Sequence, residues 1–242
     1  MLNFTNIKSS NIPFDHYIMD DFLPYELAKE ISQEFFPFDS EEWYYYNNQI
    51  ENKKTLSDWG KFPKKTYSIF TYFCSEEFVN TLRSITGIET LYPDHGLHGG
   101  GWHMHGRGGK LNVHKDYSIH PKLNLQRKLN LIVYLGEGWD PEWGGSLEFW
   151  SNDPEKNKPK NKIVDIPTLF NRAVLFDTTQ NSWHGLPTEI NCPSGFYRKS
   201  LAIYYLTDLS DSAEDRKRAL FAPYKDQEND PKIIEFIEKR SK

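Results

Sequence analysis

Cysteine is almost missing from this chain: Cys74 and Cys192 are the only two in 242 residues, and they lie far apart in no metal-binding spacing. That excludes a disulfide framework and a zinc site closed by thiolates. Long apolar runs are missing as well. No window approaches the roughly 20 apolar residues that a membrane span requires. The opening MLNFTNIKSS has neither the charged start nor the apolar stretch of a secretory signal. A strong net charge is also lacking, and a formal charge of −5 gives no electrostatic reason to expect nucleic acid or an anionic membrane as a partner. The resulting expectation is a soluble cytoplasmic protein with reduced thiols, no nucleic-acid partner and no membrane partner.

What is present describes a folded chain rich in rings, with 38% hydrophobic, 15% aromatic and 26% charged residues. Its length suits one domain over 1–242: a helical and strand support over 1–96, a β core over 97–207 and a helical tail over 208–242. Leu23, Leu27, Ile31 and Phe35 recur every fourth residue and predict a helix over 23–36. A second helix is expected over 76–86, capped by Ser75, stopped by Gly87 and buried through Phe78, Leu82 and Ile85. The stretch 40–74 lacks a helical period and reads as strands and a loop, with an aromatic cluster at 43–46 that could pack as an edge strand or cover a substrate. Asp230 and Pro231 open a helix that carries Ile233, Ile234 and Ile237.

Between 97 and 207 short runs rich in Val, Ile, Leu, Tyr and Phe alternate with Gly, Pro, Asn and Asp. The runs fall at 110–115, 128–135, 146–150, 162–166, 172–177, 183–186 and 197–206, which suits a jelly roll. The lysine-rich 152–162 reads as a solvated hairpin loop.

Successive side chains on a strand alternate faces, so His114 and Asp116 point one way and Lys115 the other. An imidazole and a carboxylate can thus meet one metal ion. With 8 histidines in the chain, His-x-Asp arises by chance in roughly every second such sequence. The rest of the pattern therefore carries the argument. His184 lies far downstream in Ser182-Trp183-His184-Gly185, and a barrel could bring it beside the first pair. Two histidines and one carboxylate make the facial set of non-haem iron(II), with three positions left open. Arg198 and Ser200 share a strand face, and a guanidinium beside a hydroxyl can grip a carboxylate. Lys199 points away. Singly, each of these residues could be an ordinary core histidine, turn aspartate or surface arginine.

The series GGKLNVHKD, RKLNLIVYLGEGWDPEWGGSLEFW, FNRAVLFDTTQNSWHGLP and CPSGFYRKSLAIYYLT, over about 97–207, resembles the Fe(II)/2-oxoglutarate-dependent oxygenases of the prolyl 4-hydroxylase-like branch. The resemblance implies a mainly β double-stranded β-helix (jelly roll, cupin-like) with flanking helices. It implies Fe(2+) on His114, Asp116 and His184, and 2-oxoglutarate anchored by Arg198 with help from Ser200. O2 is the second cosubstrate, and ascorbate a candidate accessory. Some prolyl hydroxylases use lysine as the anchor, which makes Lys199 the competing residue. His103 and His105, both on one face of the strand before the metal strand, could touch cosubstrate or substrate, and His103 is the candidate carried forward. Asn130, Tyr134 and Trp183 could line the pocket or pack the core.

The implied reaction is hydroxylation of an unactivated C–H bond, with succinate and CO2 as co-products. Related halogenases need an open position where Asp116 sits, so hydroxylation is favoured. The substrate is a peptide or a small molecule, with a prolyl or other amino-acid residue favoured. The competing readings are hydroxylation of a free small molecule on the same iron and a non-catalytic cupin-like binding module.

Overall fold

The computed structural model describes residues 2–241. Two short strands, β1 (Ile7–Ser10) and β2 (His16–Met19), precede helix α1 (Tyr25–Glu34). A hairpin of β3 (Tyr44–Asn47) and β4 (Glu51–Leu56) leads into α2 (Lys64–Phe73) and α3 (Glu76–Thr86). Nine strands follow: β5 (Tyr92–Pro93), β6 (Gly101–His105), β7 (Lys110–Lys115), β8 (Gln126–Tyr134), β9 (Leu147–Asp153), β10 (Lys158–Ile166), β11 (Ala173–Asp177), β12 (Trp183–Leu186) and β13 (Arg198–Thr207). The chain closes with β14 (Leu220–Phe221) and α4 (Pro231–Ser241).

The sheet runs β1, β2, β11, β8, β13, β6, β4, β7, β12, β9, β10, and its ladders are antiparallel. Strand β4 makes the corner: Lys54–Leu56 pair with β6, while Glu51 and Asn52 pair with β7. The ribbon therefore curls into a jelly roll, the expected double-stranded β-helix.

Alternation divides every core strand between two interiors. On β8 and β13, Leu129, Leu131, Val133, Leu201, Ile203 and Tyr205 face a helical layer that contributes Ala28, Ile31, Phe70, Phe73, Phe78 and Leu82. Trp102 on β6 joins this core, stacked on Phe35 with ring centroids 4.4 Å apart. The opposite set faces inward. Phe14, Tyr134, Leu147, Phe149, Ile166, Val174 and Phe176 fill one end of the roll. The other end is polar, and it holds the site described below.

Most predicted elements appear within a few residues. Helix α3 has the expected bounds: Ser75 Oγ accepts from Phe78 N at 3.3 Å, and Gly87 takes the left-handed conformation at φ 70°. Asp230 accepts from Lys232 N at 2.9 Å and so caps α4. Helix α1 is shorter than expected, with Leu23 and Phe35 buried just outside it.

Three expectations need correction. Residues 64–73 are helical where strands and a loop were expected. KKTYSIFTYF is rich in β-branched and aromatic residues of modest helix propensity, yet Thr66, Ile69, Phe70 and Phe73 bury one face against the core. The lysine-rich 152–162 is mostly strand, because β9 and β10 extend into it around a turn at 154–157. The tail is helical only in α4 and a short 3-10 turn at Lys225–Asn229; 208–219 is irregular and crosses β7.

Candidate active site

Three candidate ligand residues converge inside the polar end of the roll. His114 and Asp116 come from the end of β7 and the residue after it, and His184 comes from β12, directly opposite His114 in the β7–β12 ladder. The Asp116 carboxylate oxygens lie 3.6 Å from His114 Nε2 and 3.7 Å from His184 Nε2. One ligand atom from each residue lies within 4.8 Å of the others. All three residues are buried.

The backbone selects the useful ring nitrogen. His114 Nδ1 lies 2.9 Å from Asn112 O, and His184 Nδ1 lies 2.8 Å from Ser182 O. A carbonyl only accepts, so each Nδ1 donates to the backbone and each Nε2, on the Asp116 side, is the nitrogen available to a metal. Burial, with His114 beside it, lowers the His184 imidazole to about 4, which keeps it neutral at pH 7. Burial alone would raise the Asp116 carboxyl, but His184, Arg127 and His114 hold it well below the usual carboxylate range. Two imidazoles and one carboxylate, with open space on one side, fit an octahedral divalent ion that keeps free positions.

Gly185 makes this crossing feasible. The β12–β7 register slips between His184 and Leu186, and a Cβ on Gly185 would lie 2.8 Å from Leu111 O and 2.9 Å from Asn112 O. The β7 backbone cannot retreat without moving His114. Gly185→Ala is expected to weaken metal affinity by about tenfold or more, measured by manganese titration of folded protein.

A cavity of about 390 Å3 opens beside the three ligands. Arg198 and Ser200 reach it from β13, and His103 and His105 from β6, in register as Arg198 with His105 and Ser200 with His103. Arg198 is buried, and no carboxylate pairs with it among the described residues. Its Nε donates to Gly145 O at 2.7 Å and Thr168 Oγ1 at 3.3 Å, and its guanidinium carbon sits 4.8 Å from the Tyr134 ring centroid. The Tyr134 hydroxyl, Asn130 Oδ1 and both ring nitrogens of His105 are buried without a protein partner. Burial, then Lys53 and Arg198, push His103 down to about 3, and burial, Arg198 and Lys53 hold His105 well below its ordinary value. A buried unpaired cation surrounded by idle polar atoms is costly unless an anionic ligand completes it. The donor set fits a dicarboxylate.

Lys199 points out of the cavity as expected, with Nζ donating to Ser32 O at 2.8 Å and lying over the Phe35 ring. Trp183 packs outside the pocket, its indole donating to Asn152 Oδ1 at 2.8 Å. Within the 43–46 cluster only Tyr46 lines the cavity, while Trp43 joins the core.

Arg127 was not anticipated. Its guanidinium lies between the rings of Tyr117 and Tyr204, 3.2 and 3.3 Å from their centroids, and pairs with Asp116 at 3.4 Å. Simple alternation along β8 would send it toward the helical layer. A bulge intervenes: Tyr205 pairs with Leu129 but Leu206 pairs with Arg127, so the extra residue reverses the facing.

Lys115 was expected only to point away. It does, and its buried ammonium binds Asn157 Oδ1 at 3.0 Å, Asn181 Oδ1 at 3.1 Å and Glu214 Oε1 at 2.7 Å. Arg216 adds a bond to Asp116 O, and its carbonyl accepts from Ser118 N at 2.8 Å. Residues 208–219 are thereby fastened behind the metal strand. Lys115→Met is expected to release them while the fold persists. Hydrogen exchange should rise in 208–219 and stay unchanged in α3.

The model for the 2OG-Fe(II) oxygenase superfamily matches residues 100–207, which contain His114, Asp116, His184, Arg198 and Ser200. Among solved structures, a prolyl-4-hydroxylase from Pseudomonas putida aligns with TM-score 0.57 and 17% identity, covering 81% of this chain and 93% of that one. A prolyl hydroxylase from Trichoplax adhaerens, in complex with a hypoxia inducible factor peptide fragment, gives 0.56 and 18%, with 79% and 83% covered. HygX from Streptomyces hygroscopicus, with nickel, 2-oxoglutarate and hygromycin B bound, gives 0.53 and 11%, with 79% and 82% covered. At these identities the likeness establishes a shared fold. No helix among the described residues is long and apolar enough to cross a membrane.

Proposed function

We propose that this chain is a single-domain iron(II)- and 2-oxoglutarate-dependent hydroxylase acting on an unactivated C–H bond of a prolyl or other amino-acid residue, with succinate and CO2 as co-products. The observation that carries the reading is one cavity that joins an open His114, Asp116 and His184 set to a buried Arg198 lacking an acidic partner.

In this reading Nε2 of His114, Nε2 of His184 and an Asp116 oxygen hold the metal. When bound, iron(II) with 2-oxoglutarate and O2 supplies the oxidising chemistry that replaces C–H with C–OH. Arg198 and Ser200 fix the far carboxylate of the cosubstrate, and His103 sits beside Ser200 to support it. Tyr204 and Asn130 orient the metal carboxylate, with Tyr204 Oη 3.4 Å and Asn130 Nδ2 3.5 Å from its oxygens. Arg127 keeps that carboxylate ionised. The roll's inner apolar end, closed by Phe149 and Phe176, limits water behind the site.

The likeness to prolyl hydroxylases, one with a peptide fragment bound, favours an amino-acid residue as substrate. HygX, which carries hygromycin B, supports the alternative of a free small molecule on the same iron. Succinate release measured across peptides and small molecules separates the two. Oxygen-dependent succinate release without any added substrate separates both from a non-catalytic binding module. Ascorbate is proposed as an accessory reductant, tested by leaving it out of the assay. A cytoplasmic setting fits two unpaired cysteines.

A further inference from the structure

The whole chain is acidic at −5, yet the cavity is lined by six lysine and arginine side chains and only two carboxylates. Both carboxylates are already matched. Glu51, buried on β4, pairs with Arg240 from α4 and lies 3.5 Å from Lys53 Nζ, while Asp116 pairs with Arg127 at 3.4 Å. Arg198 is assigned to the cosubstrate in the reading above. Lys53 lies inside, shared with Glu51, which leaves Lys217 and Arg218 in excess at the mouth. Lys217 and Arg218 are exposed, and neither has an ion-pair partner among the described residues.

Their position is built and not incidental. Both belong to the segment fastened behind β7 through Glu214 and Arg216, and β14, two residues farther on, pairs Leu220 with Lys115 and Phe221 with His114. The Phe221 ring stacks on His114 with centroids 5.1 Å apart. The two cations are therefore held at the entrance to the metal by the chain that covers it. Deeper in, the Nε of Arg127 is buried without a partner, so the positive character continues from the mouth to the ligand set. This segment lies outside the superfamily match at 100–207, so the feature belongs to this chain's own tail.

We propose that Lys217 and Arg218 select a substrate bearing an anionic group, a carboxylate or a phosphate, close to the carbon that is hydroxylated. The inference rests on the hydroxylase reading and narrows its substrate class. Like charges at a desolvating mouth repel a cationic substrate and draw in an anionic one, an effect that weakens as salt shortens the screening length to about 8 Å or less. The anionic group could be an acidic side chain of a peptide or part of a free metabolite, and the test has an arm for each.

In the peptide arm, capped prolyl pentapeptides carry glutamate, glutamine or lysine on both sides of proline. In the small-molecule arm, glucose 6-phosphate and N-acetylproline are compared with glucose and N-acetylprolinamide. Each probe is assayed with the iron-loaded enzyme for stimulation of succinate release. Each is also titrated calorimetrically against the manganese-loaded enzyme without oxygen. Wild type is expected to favour the anionic member at least tenfold in one arm, and that arm names the source. Lys217→Glu combined with Arg218→Glu should remove or reverse the preference, and Lys217→Arg with Arg218→Lys should retain it. Lys160→Glu, on the exposed hairpin away from the cavity, should leave the preference intact. Equal response within every pair, no response to any anionic probe, or a preference untouched by charge reversal overturns the inference. Absence of succinate release by wild type in every condition instead overturns the hydroxylase reading, and the calorimetric preference still decides the charge inference.

Discussion

Asp116→Ala and His114→Ala are each expected to lower 2-oxoglutarate turnover by at least about 100-fold, because losing even an outer-shell partner of a metal ligand commonly costs 10- to 100-fold. The loss should appear first in metal binding. With two donors left, the site no longer presents one face of three, and manganese titration should show weakened or absent binding in a protein whose circular dichroism is unchanged. Asp116→Ala carries a second effect. It removes the carboxylate paired with Arg127, leaving a guanidinium buried between Tyr117 and Tyr204 without a counter-charge. Asp116→Ala should therefore lower thermal stability more than His114→Ala. Turnover within a few-fold of wild type in either variant would reject the ligand assignment.

Arg198→Met is expected to raise the apparent KM for 2-oxoglutarate on the order of 100-fold, the equivalent of losing about two charge-assisted hydrogen bonds. The metal should bind as before, since Arg198 makes no contact with the three ligands. Part of any stability change will come from Gly145 O and Thr168 Oγ1, which lose the Arg198 Nε donor. Folding and cosubstrate affinity must therefore be read separately. Arg198→Lys should recover a fraction of the affinity, because an ammonium supplies the charge without the planar fork. Lys199→Met is the control: its ammonium lies on the helical side against Ser32 and Phe35, so KM should not move. A large KM effect at Lys199 with none at Arg198 would transfer the anchor to the neighbouring residue.

Both predictions were legible in the chain because they depend on alternation, the most reliable local rule of a strand. His-x-Asp and Arg-x-Ser each place two residues on one face, and β7 and β13 keep that face toward the cavity. The jelly roll was legible for the same reason, since its strands read as short apolar runs between turn residues. Helix α3 announced itself through Ser75 and Gly87.

What stayed hidden depended on non-local contacts. Helix α2 is written in residues that favour strands, and its conformation follows from what Ile69, Phe70 and Phe73 cover. Arg127 enters the pocket through a bulge, which breaks the rule that would have turned it outward. The cations at the mouth sit in a polar stretch without period, and only the bonds of Glu214 and Arg216 to the back of β7 bring them to the site. Tertiary contacts of single polar residues leave no periodic trace in a sequence.

The most direct measurement is a crystal structure of the chain with manganese(II) and 2-oxoglutarate, located by anomalous scattering at the metal edge. One strong peak is expected, bonded to Nε2 of His114, Nε2 of His184 and a carboxylate oxygen of Asp116, with the cosubstrate's far carboxylate on Arg198. A peak bonded elsewhere, or a cosubstrate whose far carboxylate lies away from Arg198, would contradict that assignment.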